Sequence, residues 1–324
     1  MAGGPQPDYR SPVPETQMDT KAALQGYSIT SGTVRYSDLA YLVTTHDQAM
    51  TEGHTGSLLC TLDRGTWGAG VVDWLACSGT VCHTPAERYL VLGTDGSVRT
   101  SGGGSVKEES PIGSCGVDPK KRGPLREIRA VAKGRAYAVG TCRQAYVRTD
   151  ESQWKCIDQS AQGGDVDITD TSFESIDGFD EQEIYTVGWE GEIWTYDGAT
   201  FTQLTSPTNL ALYKVRCAPD GFVYACGQLG TLLRGRGDQW EVIEHGSTTE
   251  DLWGMEIFNG EVYVSSTHFV YRLVDGKLKA VNFGDDVPSS CYHLSAADGI
   301  MWSIGPKDVM EFNGSTWKRI LKIG

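Results

Sequence analysis

Six histidines, nine cysteines and a few acidic clusters are the residues of this chain that could carry chemistry. The histidines are His46, His54, His83, His245, His268 and His293, and none falls in the HExxH spacing of a zinc hydrolase. His46 and His54 share one loop with Asp47 and Glu52, a donor set without the rigid, oriented surroundings a metal centre needs. Asp165, Asp167 and Asp170 form a D-x-D-x-x-D array. It lacks the turn glycine and distal glutamate of an EF-hand loop and reads as a solvated acidic loop. Cys77 and Cys82 have no second pair to complete a zinc site, and nothing in the sequence ties Cys115 to a base. Neither a nucleophile elbow nor a phosphate loop is present, and the glycine-rich run 96–105 leads into no helix. No catalytic residue, metal or cofactor is therefore assigned. Arg129, Arg143, Arg216, Glu190 and His268 could converge on one mouth, as a sialidase-like or lyase-like site would require.

The elements that would position these groups are set by a rhythm. Tyr41, Tyr89, Tyr137 and Tyr185 are spaced 48 apart, and Tyr185, Tyr224, Tyr263 and Trp302 are spaced 39 apart. Each sits in a short apolar run, and periods of this length mark repeat architectures. The clearest copy, 212–243, divides into four short β runs separated by turns rich in Gly and Asp. The same grammar recurs at 125–157, 173–204, 252–281 and 291–320, and more loosely upstream. Four strands in each of seven repeats predict an all-β, seven-bladed propeller, in which ring closure buries the faces one repeat leaves open.

The expected organisation is an N-terminal arm over 1–23 and one propeller domain over 24–324. Its blades are placed at 29–70, 71–112, 125–158, 173–205, 212–244, 252–283 and 291–323. The run VVDWLA (71–76) is taken as the first strand of blade 2, residues 24–35 as an added edge strand, and 77–87 as an insertion on the lower face. Closure is expected by packing of blade 7 on blade 1. The ruler aromatics are expected between blades.

The runs IYTVGWEGEIWTYDGATF (184–201) and VYACGQLGTLLRGRGDQW (223–240) resemble a repeat of bacterial propellers, of YVTN and BNR-like type. The resemblance implies the propeller architecture and leaves function open, since propellers host enzymes, lectins and scaffolds. The Asp-box spacing of BNR sialidases is absent: the equivalent turns read YDGATF (196–201) and FNGSTW (312–317). WD-repeat and kelch signatures are absent as well.

The formal net charge of −14 argues against a nucleic-acid or anionic-membrane partner and suits a basic protein. The N-terminus shows no signal peptide, no run is long enough to span a membrane, and the cysteines read as reduced, buried thiols. These features suggest a cytoplasmic, monomeric protein. Extra chain at 46–56, 110–124 and 159–172 falls in the upper connections of blades 1 to 4. The expected partner-binding residues are His46, Asp47, Glu52, Thr94, Arg143, Gln144, Asp165, Asp167, Asp170, Trp189, Glu190, Gln228, His268 and Lys307. A non-enzymatic, protein-binding propeller follows, one that fits an immunity or antitoxin-like role against a basic effector. The alternatives are a glycan hydrolase or lyase at the channel mouth, and a glycan-binding lectin.

Overall fold

The computed structural model describes residues 16–17, 20–48, 56–115, 118–162 and 170–323. Glu52, His54, Asp165 and Asp167, and the side chain of Cys115, lie outside the described residues. Seven antiparallel sheets follow one another, each made of four consecutive strands. The first strands are Tyr27–Tyr36, Ala76–Cys82, Leu125–Ala130, Phe173–Asp180, Leu212–Cys217, Gly254–Phe258 and His293–Ala297. They line a central channel, and successive sheets pack face to face around it. The protein is a seven-bladed β-propeller. Blade 1 carries an extra outer strand, Thr16–Gln17, beside Thr66–Val72.

Local sequence explains the turns. Asn259-Gly260 and Asp298-Gly299 have φ of 53° and 80°, and of 51° and 78°, the paired positive values of a two-residue hairpin loop. The glycine closing several ruler runs answers a different need. There the second strand passes against the chain entering its own first strand. A Cβ on Gly188 would stand 1.7 Å from the Ser172 carbonyl oxygen, and one on Gly227 2.0 Å from that of Ala211.

All seven ruler aromatics lie in second strands and are at most 6% exposed. Six of them face the next blade. Tyr137 packs with Phe173 and Ile184 of blade 4, and Tyr224 with Leu252 and Val262 of blade 6. Tyr89 is the exception. Blade 2 has Thr80 opposite Leu90, where blade 5 has Arg216 opposite Tyr224. The aromatic is thus displaced by one residue, which turns it to the other face of its sheet. Tyr89 stacks back on Tyr41 of blade 1 at 3.7 Å between ring centroids, while Leu90 faces blade 3.

The first blades differ from the sequence-based assignment. VVDWLA is not a strand: Val71 and Val72 end the fourth strand of blade 1, and blade 2 begins at Ala76. In the true strand, Ala76–Cys82, the buried positions alternate but are small or polar, so no apolar signature announces it. Only 83–87 joins it to the second strand, so 77–87 is not an inserted loop. Residues 27–36 form the innermost strand of blade 1.

The ring closes by packing, with every strand of blade 7 drawn from its own stretch of chain. Leu24, Ile29 and Val34 share a core with Trp302, Ile304 and Leu321. The Ile29 amide donates to the Pro306 carbonyl at 2.9 Å. Because the ruler side chains fill the faces between blades, Tyr224→Ala should leave a cavity. We expect it to lower unfolding free energy in urea by about 3–5 kcal/mol.

Candidate partner-binding face

The first strand of each blade is an open sheet edge facing the channel, so its outward amides need acceptors. The preceding blade supplies several of them. Ser78 Oγ accepts from the Ile128 amide at 3.2 Å, Glu127 from Ile176 at 2.9 Å, Ser175 from Val215 at 3.1 Å, and Ser295 from Val34 at 3.0 Å. Glu127 does more than a serine could. Its carboxylate also pairs with Lys214 at 2.8 Å and Arg216 at 3.3 Å. Two residues further along the same strand, Arg129 lies between Asp177 at 3.2 Å and Glu256 at 3.2 Å, and Arg216 reaches Glu256 at 3.7 Å. Three carboxylates and three cations thus form a belt across blades 3 to 6.

The belt is electrostatically closed. Burial opposes ionisation of Glu127, yet Lys214, Arg216 and Arg129 hold its carboxyl far below the usual range. Burial likewise opposes ionisation of Glu256, and Arg129 and Arg216 hold it low. His293, beside the belt, is pushed down to about 3 by burial, Lys214 and Arg216, so it is neutral at pH 7. Its Nε2 lies 3.2 Å from the Gly32 carbonyl oxygen, which ties blade 7 to blade 1. Glu127, Arg129, Asp177, Arg216 and Glu256 of the belt line a cavity of about 540 Å³; above it the upper mouth, lined in part by Lys214, encloses about 520 Å³.

The upper mouth has an aromatic wall. Tyr213, Trp253 and Tyr292 occupy the same rim position in blades 5, 6 and 7. Tyr213 stacks on Trp253 at 4.4 Å, and Tyr292 lies 5.5 Å from Trp253 on a tilt. Arg126 and Glu174 continue the rim in blades 3 and 4, paired at 3.4 Å.

The predicted residues divide by what they touch. Thr94 lines the upper mouth, and Trp189 stands beside it with the Arg126 guanidinium 5.9 Å from its ring centroid. Glu190, His268 and Asp170 are exposed, Gln228 is half-buried, and His268 Nδ1 lies 3.2 Å from Glu250. Asp47 and Lys307 pair at 2.8 Å across the seam between blades 1 and 7, and His46 packs edge-on against Tyr27 at 5.1 Å. Hydrogen bonds from Lys307 and Ser28 hold the Asp47 carboxyl below its ordinary range. Arg143 is 8% exposed, pairs with Glu192 and lies over Trp194 at 5.0 Å. Gln144 is fully buried, donating to the Gly123 carbonyl at 2.9 Å. Arg143 and Gln144 thus bind the protein's own chain. Of the five residues that could have converged on one mouth, Arg129 and Arg216 meet in the belt; Arg143, Glu190 and His268 lie elsewhere. Among the described residues, no three His, Cys, Asp or Glu gather as metal donors.

Over 300 residues the chain is 46% identical to the immune protein Tsi7 of Pseudomonas aeruginosa PAO1, spanning 91% of this chain and 97% of that protein. The chain belongs to the Tsi7 family. No family model matches it. Among solved structures, YCF48 bound to D1 peptide is similar with a TM-score of 0.64 at 16% identity, covering 89% of this chain and 93% of that one. The WD40 propeller domain of Doa1 gives 0.65 at 13%, covering 87% and 90%. Virginiamycin B lyase from Staphylococcus aureus gives 0.54 at 10%, covering 75% and 83%. At these identities the likeness is one of fold.

The rim aromatics of this Tsi7-family propeller escaped the sequence reading, although a signal exists. Each follows the residue that opens its repeat: Leu212-Tyr213, Leu252-Trp253 and Cys291-Tyr292. The belt generates two predictions. Glu127→Gln leaves Lys214 and Arg216 without their shared carboxylate and should cost about 3–5 kcal/mol in urea unfolding. The second concerns pH. The unfolded chain takes up a proton on His293 near 6.5, whereas the folded protein does so only near 3. Stability from this group is therefore full above pH 6.5 and declines as pH falls toward 3. The depressed Glu127 and Glu256 add to the loss below about pH 4.5. Thermal midpoints measured from pH 7 to 4 should fall, and His293→Gln should flatten the upper part of that decline.

Proposed function

We propose that this chain is a non-enzymatic immunity protein that binds a protein toxin through the upper face of its propeller and acts as a monomer in the cytoplasm. The observation that carries this reading is the 46% identity to an immune protein over nearly the whole of both chains. The repeats' YVTN and BNR-like pattern belongs to the proposal as a scaffold without Asp boxes. The partner is basic: acidic residues outnumber Lys and Arg by 42 to 28, a balance that steers a cationic protein to the surface.

The channel chemistry supports binding over catalysis. A glycan hydrolase or lyase at the mouth would have convergent carboxylates and arginines with perturbed ionisation, and the belt has both. Its carboxyls, however, are consumed in mutual ion pairs and amide hydrogen bonds. Glu127 and Glu256 are shifted down, whereas a general acid needs a raised value.

Co-expression with the toxin that this chain protects against should restore growth and yield a one-to-one complex by size-exclusion chromatography with light scattering. Affinity should fall at least tenfold between 50 and 300 mM salt, with most of the change in the association rate. Protection without a complex, or measurable glycan cleavage by the chain alone, would sink the reading.

A further inference from the structure

The upper turns of blades 5 and 6 carry exposed apolar side chains at their apices. At the apex of blade 5, Leu229 is 58% exposed and holds φ at 53°. A leucine in the left-handed region is disfavoured, and exposure returns nothing to folding, so a glycine would serve the turn better. At the apex of blade 6, Phe269 is 47% exposed. The same link between the two blades braces both turns. Asp251 accepts from the Leu229 amide at 2.9 Å, and the adjacent Glu250 pairs with His268 at 3.2 Å. Two apolar side chains thus flank a Glu-Asp pair, and two residues beyond it Trp253 enters the aromatic wall of the mouth. Glu190, exposed at the blade 4 apex, extends the acidic rim.

We propose that this unit on blades 5 and 6, and not the longer connections of blades 1 to 4, is the docking centre for the toxin. The occupant is a toxin loop carrying an apolar residue bordered by Lys or Arg, which the acidic rim pairs while Leu229 and Phe269 exclude water. The inference rests on the immunity reading and narrows it to one surface. Protein interfaces commonly set a buried apolar centre within a polar rim.

The test measures affinity of the purified variants for the toxin that wild type neutralises. Leu229→Asp and Phe269→Asp should each weaken binding about 30-fold or more. Val71→Asp, at a 71% exposed position on blade 1, should change nothing. Glu190→Gln with Glu250→Gln should slow association and flatten its salt dependence. Leu229→Gly separates roles: it should raise the thermal midpoint and still weaken binding, which no structural role for Leu229 would produce. Wild-type affinity in both Asp variants, or loss of binding on changing Thr94 or Asp170 instead, overturns the proposal and leaves the immunity reading intact. Absence of any wild-type complex overturns both.

Discussion

An unpaired sheet edge is the constraint on which this ring depends. Every blade turns the outer side of its first strand toward the channel, and those amides cannot be left bare in a narrow interior. The recurring solution is a hydroxyl or carboxylate of the preceding blade placed against an amide of the next. Blade order, channel polarity and seam chemistry follow from this single requirement. Serine serves at 78, 175 and 295, and Thr80 and Asp177 accept in the same way. Where glutamate stands instead, at 127, its charge must be balanced, and Lys214 and Arg216 of blade 5 do so.

Residues usually taken as a mark of catalysis are therefore part of the frame. Convergent acids and bases in a propeller channel resemble an active site until their partners are counted. Here the belt neutralises itself, and the neutral His293 completes it by reaching Gly32 across the seam. The recognition surface proposed above is the upper face, where the exposed apolar apices Leu229 and Phe269 stand beside Glu250 and Asp251.

Much of the architecture was legible because burial between blades demands large apolar residues at a fixed spacing, and the close approach at Gly188 and Gly227 demands glycine just after them. The strand Ala76–Cys82 was not legible, since a channel strand buries small and polar side chains and lacks an apolar signature. Tyr89 kept the spacing while facing the wrong way, a displacement that only the pairing register reveals. At the candidate site, polarity at a turn misled in one respect. Arg143 and Gln144 sit at an apex like surface residues, yet their hydrogen bonds run inward. The rim aromatics were hidden because each adjoins a core residue and reads as part of the same apolar run.

The seam has a further consequence. Because blades 1 and 7 meet through the contacts that join any two neighbours, and among the described residues no strand is exchanged between them, covalent continuity matters at no particular junction of the ring. The ring has a sense of rotation, with blades 2, 3, 4 and 7 each serving the next, but no required starting point. A gene rearranged to begin at blade 4 or blade 5, with its old termini joined by a linker, would encode the same ring of edges and acceptors.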